Sequence, residues 1–357
     1  MSKRFLSIVA ALGALAFGVS ACGDSGSSGG SGGSGQVAGA GSSAQEAAMQ
    51  AWVAGLQDQN PDADASYDPV GSGGGREQFN AGGVAFAGTD SPFADEELAA
   101  AQKRCGGTDN FVQVPAYISP IAMIYNLKGV DGLQLSPETA AWIFKGDIKS
   151  WDDPAIKKDN PGASLPSTRI VPVNRSDDSG TSHNFEDYLS KTAGSIWTYP
   201  PDDAWPVKGG EAAEGTSGVV DAVKNGDGAI GYADASQAGD LGIAKVKVGS
   251  EYVAPSPEGA AKTLAASKQK KIGKYAFEYE VKRDSTDPST YPVILASYQV
   301  ACTKYDDADQ GKLVKDLESY IVSDTGQQAA AKAAGSAPLT PELIKELTPA
   351  VQAIGSA

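Results

Sequence analysis

One stretch carries most of the recognisable chemistry in this chain: Arg175-Ser176-Asp177-Asp178-Ser179-Gly180-Thr181-Ser182. Arg175 brings a permanent charge whose planar fork suits a phosphate or carboxylate. Asp177, two residues on, can hold that guanidinium in place, and Ser179, Thr181 and Ser182 add neutral hydroxyl donors. Such a loop grips an anion when it opens a helix, because unpaired backbone N–H groups and the positive end of the helix dipole then converge on one point. The flanks predict that setting. Ile170-Val171-Pro172-Val173 suits a buried strand, and Phe185, Tyr188 and Leu189 fall on one face of a helix. The plainer alternative is a helix N-cap followed by surface serines.

Two more Gly/Ser-rich segments predict helix starts. Ser43, with Glu46 three residues on, fits a capping box ahead of Ala47, Ala48, Met49, Ala51, Trp52 and Leu56. Val70-Gly71-Ser72-Gly73-Gly74-Gly75 opens the Arg76-Glu77-Gln78-Phe79 helix, without the Lys-Ser/Thr ending of a nucleotide loop. A lone glycine cluster is more often a turn than a site.

Residues 84–92 read as a buried strand that opens at Asp90 into a polar turn, with helix capping as the plainer role for that aspartate. Residues 111–126 suit one or two strands, broken by Pro115 and Pro120 where the chain is expected to cross between lobes. Residues 136–151 predict a helix ending at Gly146-Asp147-Ile148, and residues 197–215 a surface connector. Val219, Val220 and Val223 predict a helix, Gly228-Ala229-Ile230-Gly231-Tyr232 a short buried strand, and residues 291–303 a long one. Residues 311–347 read as surface helices closing the fold, with Val314, Leu317, Tyr320 and Ile321 on one face. Strands alternating with helices predict α/β lobes with mainly parallel sheets, where ligands lie at loops beyond the strand ends.

At the N-terminus, Lys3 and Arg4 precede an uncharged, mostly apolar run ending at Ala21, the layout of a secretory signal rather than a spanning helix. Val19-Ser20-Ala21-Cys22 reads as a bacterial lipobox, which predicts cleavage before Cys22 and a diacylglyceryl group on its sulfur. An ordinary signal peptide with a stray cysteine is the alternative. Residues 1–21 are therefore assigned to the signal, and residues 22–35, almost entirely Gly and Ser, to a flexible tether. The formal charge of −15 becomes −17 once Lys3 and Arg4 are removed. That argues against a nucleic-acid surface, although local dipoles and a buried arginine can still favour an anion inside a cleft. With Cys22 carrying lipid, Cys105 and Cys302 are left as a pair in an oxidising compartment. A disulfide is the economical reading and two buried free thiols the other. Neither cysteine has metal-ligand spacing around it.

Val70-Gly71-Ser72-Gly73-Gly74, Phe86-Ala87-Gly88-Thr89-Asp90-Ser91-Pro92, Lys149-Ser150-Trp151-Asp152-Asp153-Pro154, the Arg175 loop and Gly228-Ala229-Ile230-Gly231-Tyr232 together resemble the phosphate-binding protein of the bacterial phosphate-specific ABC transporter. The likeness runs from about residue 39 to the last strands, and the lipobox and tether resemble the lipoprotein form of that family. The resemblance implies a type II periplasmic-binding-protein fold: two α/β lobes, each with a central mixed sheet, joined by crossing strands and closing on one dehydrated phosphate. Lobe I would comprise residues 36–118 plus 291–357, and lobe II residues 119–290. It further implies a monomeric, non-enzymatic, extracytoplasmic receptor, anchored to the cell membrane through Cys22. Such a receptor delivers phosphate to ABC permease subunits and has no cofactor, metal or nucleic-acid partner.

The implied phosphate contacts are Ser72 and Asp90 from one lobe and Arg175, Ser179, Gly180 and Thr181 from the other, with Asp177 supporting Arg175. The Ser43 hydroxyl and the Ala44 amide complete the set. Two departures stand out. The family often has Thr-Phe-Pro where this chain has Ser43-Ala44-Gln45, so the aromatic wall is lost. Its Asp-Gly-Ser-Gly-Thr becomes Asp177-Asp178-Ser179-Gly180-Thr181, where Asp178 either faces solvent or alters the loop.

Asp90 carries the specificity expectation. A carboxylate facing an anion repels it unless a proton lies between them. Phosphate near neutral pH keeps at least one proton and sulfate keeps none, so an acceptor-only Asp90 favours phosphate. Two other functions compete: a secreted phosphate-ester hydrolase with Ser179 as nucleophile, and a homologue retuned to another oxyanion, or to adhesion or sensing. The hydrolase is short of imidazole. His183 is the chain's one histidine, and it reads as an exposed first-turn residue.

Overall fold

The computed structural model describes residues 36–355. The signal, the lipobox with Cys22 and the tether lie outside the described residues.

The fold turns on one strand of 15 buried residues, Phe111–Tyr125. Pro115 and Pro120 do not break it, contrary to the sequence expectation. Proline costs a strand its ladder N–H, so it survives where that bond is already missing. Pro115 pairs with Tyr298 and Tyr117 with Ser297, which leaves Ala116 as the extra residue of a bulge. Pro120 sits opposite Ile294 at the end of that ladder, and Ile121 pairs instead with Asp234. Pro120 therefore marks the residue at which the strand changes partners.

Before that point the strand pairs with Ile294–Cys302, followed by Phe86–Thr89, Gln36–Gly41 and Asp64–Asp68. Beyond it the order is Ala229–Asp234, Val171–Arg175 and Glu211–Ala213. Two α/β lobes thus share one hydrogen-bonded path of strands, each lobe with a mixed sheet. Gln36–Gly41 runs parallel to both its neighbours, as does Val171–Arg175, while the long strand is antiparallel to Ile294–Cys302 and to Ala229–Asp234. The hairpin of Lys268–Lys271 and Tyr275–Glu280 adds to the first half of the long strand at Val112 and Gln113. Gln36–Gly41, Phe86–Thr89 and Val171–Arg175 each end at a polar loop that belongs to the site, as ligand loops of α/β sheets do.

The C-terminal helices Ala308–Ile321, Asp324–Ala334 and Pro341–Gln352 bury Val314, Leu317, Ile321 and Leu347 completely. Trp52, on the helix Glu46–Gln59, is fully buried, and its indole N–H donates to the Gly326 carbonyl at 2.8 Å. Two motifs that carried the resemblance prove to hold each other. Trp151 is fully buried and donates to the Gly228 carbonyl at 3.0 Å, beside the strand Ala229–Asp234.

Cys105 and Cys302 form a disulfide with Cα atoms 5.1 Å apart, across 197 residues of sequence. It staples the end of the helix Asp95–Arg104 to the end of Ile294–Cys302. Closing so long a loop limits the unfolded ensemble, so replacing both cysteines by alanine is expected to lower unfolding free energy by about 2–4 kcal/mol. Urea titration of the double variant, and of the parent with and without reductant, checks this; coincident midpoints would contradict it.

Candidate functional site

The strand Val171–Arg175, the loop after it and the helix Gly180–Thr192 form the setting predicted for an anion grip. Ser179 is the N-cap, its hydroxyl accepting from the Ser182 amide at 3.3 Å. That leaves the amides of Gly180 and Thr181 without a hydrogen-bond partner among the described residues, at the positive end of the helix dipole. Arg175 is 3% exposed. Its Nε donates to Asp177 Oδ1 at 2.7 Å and its Nη2 to Asp177 Oδ2. Burial would raise the Asp177 pKa, but the Arg175 guanidinium and the Gly215 amide outweigh it and hold the carboxyl below its ordinary range. Tyr232 braces the loop, its hydroxyl accepting from the Arg175 amide at 3.2 Å and bonding Ser182 Oγ at 2.7 Å.

The first lobe meets this loop face to face. The helix Ser72–Ala81 begins immediately after Gly71, whose φ of +91° favours glycine. The Gly73 amide donates to the Asp178 carbonyl at 3.0 Å. A Cβ on Gly71 would lie 2.4 Å from Asp177 Oδ2, and one on Gly73 2.5 Å from Asp178 Cβ. The Asp178 side chain is exposed, so the departure from the family's glycine is accommodated toward solvent while its carbonyl bridges the lobes.

Gly180 is more confined still. A Cβ there would stand 2.7 Å from both Asp90 Cβ and Ser72 Oγ. Gly180→Ala is expected to hold the lobes apart and weaken ligand binding by about one to three kcal/mol, roughly five- to 150-fold. Calorimetry checks it; unchanged affinity would show that the contact is not needed in the bound state.

Asp90 lies at the centre of this contact, 3% exposed. Its Oδ2 accepts from Ser42 Oγ at 2.7 Å and from Thr181 Oγ1 at 3.5 Å, and its Oδ1 accepts from Ser297 Oγ. The Asp90 amide donates to Ser72 Oγ at 3.1 Å, and its carbonyl accepts from Asn184 Nδ2 at 2.6 Å. Burial lifts the Asp90 pKa above the ordinary carboxylate value; the Ser297 and Ser42 hydroxyls and the Arg175 charge offset this only in part. Each hydroxyl that bonds the Asp90 carboxylate donates to it, so the carboxylate is presented as an acceptor.

The structure therefore brings together Ser72, Asp90, Gly180 and Thr181, with the Arg175–Asp177 pair beside Gly71. Ser179 sits one residue back as the cap, and its amide is already engaged by the Asp203 carbonyl at 3.0 Å. Ser43 is turned across the lobes to Thr216, bonding its hydroxyl at 2.9 Å and accepting from its amide at 3.1 Å. The Ala44 amide donates to Ser42 Oγ at 3.2 Å. Ser42, not Ser43, is the cap, over a short 3-10 turn Ser43–Gln45 ahead of the helix Glu46–Gln59. The Ser43/Glu46 spacing hid Ser42, and nothing in a buried strand marked Ser297.

The segment read as a surface connector also contributes. Asp203 Oδ2 accepts from Arg76 Nη2 at 2.7 Å and Ser91 Oγ at 2.9 Å. His183 is half-buried, not exposed, with Nδ1 at 3.5 Å from Asp203 Oδ1. Glu186, fully buried on the same helix, has its carboxyl pushed up to about 9 by burial and by the charges of Asp202 and Asp203, so it stands neutral beside them at neutral pH. A separate cavity of about 580 Å³ is lined by Phe144, Trp205, Lys149, Arg169 and Lys208. None of its lining side chains is a buried polar group lacking a partner, and the convergent donors lie elsewhere.

A family model described as a PBP superfamily domain matches residues 26–325, and the chain belongs to that superfamily of binding proteins. Phosphate-binding protein PstS 3 of Mycobacterium leprae is 36% identical over 280 residues, 77% of this chain and 75% of that protein. PstS 3 of Mycobacterium tuberculosis is 34% identical over 375 aligned residues, 99% of each chain. Within the superfamily, this chain is a member of the phosphate-binding proteins of ABC transporters. The fold is shared with solved structures of a phosphate-binding protein from Stenotrophomonas maltophilia, at TM-score 0.66 and 20% identity, and of the phosphate-bound periplasmic protein PfluDING, at 0.71 and 21%. Each comparison covers 88% of this chain and 93% of the other.

Proposed function

We propose that this chain is a lipid-anchored extracytoplasmic receptor that closes two lobes around one inorganic phosphate and delivers it to an ABC permease. The observation that carries the reading is the meeting of Asp90 and Ser72 with Gly180 and Thr181 across the lobes, beside the buried Arg175–Asp177 pair. Neutral donors and a helix end replace the water around an anion, Arg175 supplies one full charge, and Asp90 requires a proton on the ligand. The relatives named as phosphate-binding proteins support the same choice of anion.

The contacts assigned to phosphate are Ser72, Asp90, Arg175, Ser179, Gly180 and Thr181, with Ser43 and Ala44 from the turn whose cap, Ser42, holds Asp90. The lobes are taken as residues 36–118 plus 291–357 and residues 119–290, and the receptor as a monomer held to the membrane through lipid on Cys22. No helix among the described residues is long and apolar enough to cross a membrane.

Calorimetry with phosphate, sulfate, molybdate and arsenate tests the reading: phosphate should bind tightly and sulfate weakly, and absence of tight phosphate binding would overturn it. Against the hydrolase stand the Ser179 hydroxyl, which caps its own helix, and His183 Nδ1, which faces Asp203. Turnover of a chromogenic phosphate ester that disappears with Ser179→Ala would restore that alternative.

A further inference from the structure

We propose that Asp203, reaching from the connector between the helix Gly180–Thr192 and the strand Glu211–Ala213, is a clasp that fastens the lobes by seating on Arg76 and Ser91 and thereby slows release of the bound anion. The proposal rests on the phosphate-receptor reading.

The socket is built entirely in the first lobe. Arg76 is held by Glu97, with Nε at 3.0 Å from Oε2, and its Nη1 donates to Thr89 Oγ1 at 3.1 Å and Ser91 Oγ at 2.8 Å. These partners keep the guanidinium in place whatever the other lobe does, and among the described residues Asp203 is its one hydrogen-bond partner from residues 119–290. The Arg76 and Asp203 side chains are 6% and 12% exposed, so the 2.7 Å ion pair is shielded from solvent. Charge pairs of this kind act mainly on the rate of separation rather than of encounter.

The clasp is presented rigidly. Two residues beyond Asp203, Trp205 stacks on Tyr232 with centroids 5.3 Å apart, and it also packs at 5.2 Å against the buried Trp197. Pro200, Pro201 and Pro206 stiffen the backbone between and beyond those rings. Burial would raise Asp203, but His183 and the Arg76 guanidinium hold its carboxyl below the ordinary range, so it is charged when it docks.

The clasp is also wired to the grip. The Asp203 carbonyl receives the Ser179 amide at 3.0 Å, Arg76 lies on the helix that begins at Ser72, and Ser91 follows Asp90. Asp203 touches no candidate ligand contact through its side chain; it is a positioning residue that holds both halves of the grip together.

The test is phosphate dissociation followed by stopped-flow tryptophan fluorescence on the full-length protein, for the parent, Asp203→Asn, Arg76→Gln and the double variant. Asp203→Asn keeps the shape and the backbone carbonyl. It should accelerate dissociation about ten- to 100-fold and change association less than threefold. The double variant should release phosphate no faster than the faster single variant, and small-angle scattering of phosphate-loaded Asp203→Asn should show a more open average shape. Additive effects, or dissociation unchanged in Asp203→Asn, would overturn the clasp even if the variant has a lower melting temperature, since a merely structural role lowers stability without coupling the two side chains. A parent that binds phosphate but is indifferent to Asp203 removes the clasp alone; a parent with no phosphate affinity removes the receptor reading and the clasp with it.

Discussion

Arg175→Ala is expected to weaken phosphate binding by about 2–5 kcal/mol, roughly thirty- to several-thousand-fold, in calorimetry at pH 7. Arg175 is the one full positive charge among the candidate contacts, and its side chain is 2% exposed, so water cannot take its place. Truncation has a second consequence. It leaves Asp177 behind as a largely buried carboxylate without its bidentate partner, next to the proposed anion contacts.

Arg175→Lys should recover little, because an ammonium cannot hold Asp177 through a planar fork and still face a ligand. The same change should alter the acid side of the stability profile. Asp177 has a folded pKa below its ordinary value, so it contributes stability above that value and loses it as the pH falls through the folded pKa. Arg175→Ala removes that contribution near neutrality and flattens the acid limb of the melting profile. A change in affinity below threefold would place Arg175 outside the site.

Asp90→Asn is expected to reduce the preference for phosphate over sulfate by about two orders of magnitude or more, chiefly by letting sulfate in. The like-charge contact that excludes a fully ionised tetrahedral anion costs several kcal/mol when desolvated, and an asparagine amide can turn a donor toward it. Stability should move the other way. The folded pKa of Asp90 is raised by burial, so the folded state carries a penalty at pH values above it; that penalty fades as the pH falls through the folded pKa and is gone below the ordinary 3.8, where the group is protonated both folded and unfolded. Asp90→Asn should therefore melt higher than the parent at pH 7, with the difference shrinking toward pH 4. A melting temperature that falls, with the phosphate-to-sulfate ratio unchanged, would deny Asp90 both its specificity role and its strained burial. The expected pattern is the stability cost of a functional carboxylate.

How much could be read in advance varied with the range of the interactions. The Arg175 loop was legible because strand, cap and helix are neighbours in sequence, and each obeys a local rule. The cap at Ser42 was misplaced by one residue, since two adjacent serines satisfy the same rule and only the bond to Asp90, 48 residues away, separates them. Pro115 and Pro120 signal breaks by a local rule, which the bulge at Ala116 and the change of partner at Ile121 circumvent. The connector carrying Asp203 looked like surface because its prolines and glycines are polar-loop signals. Its tryptophans were the overlooked clue, as they pack into an aromatic cluster with Phe185 and Tyr232.

By itself, the sequence determined the alternation of strands and helices, the chemistry of the anion grip, the pairing partners open to Cys105 and Cys302, and the family. These depend on composition and short-range periodicity, which a linear chain displays directly. Only the tertiary structure decided that Asp90 meets Thr181, that Gly180 has no room for a methyl group, that Ser43 faces Thr216, and that Asp203 locks onto Arg76. Each of those contacts joins residues from two lobes, roughly 90 to 175 positions apart in sequence. No local propensity encodes such a meeting; it follows from where the long strand Phe111–Tyr125 exchanges one sheet partner for another and so sets the two lobes face to face.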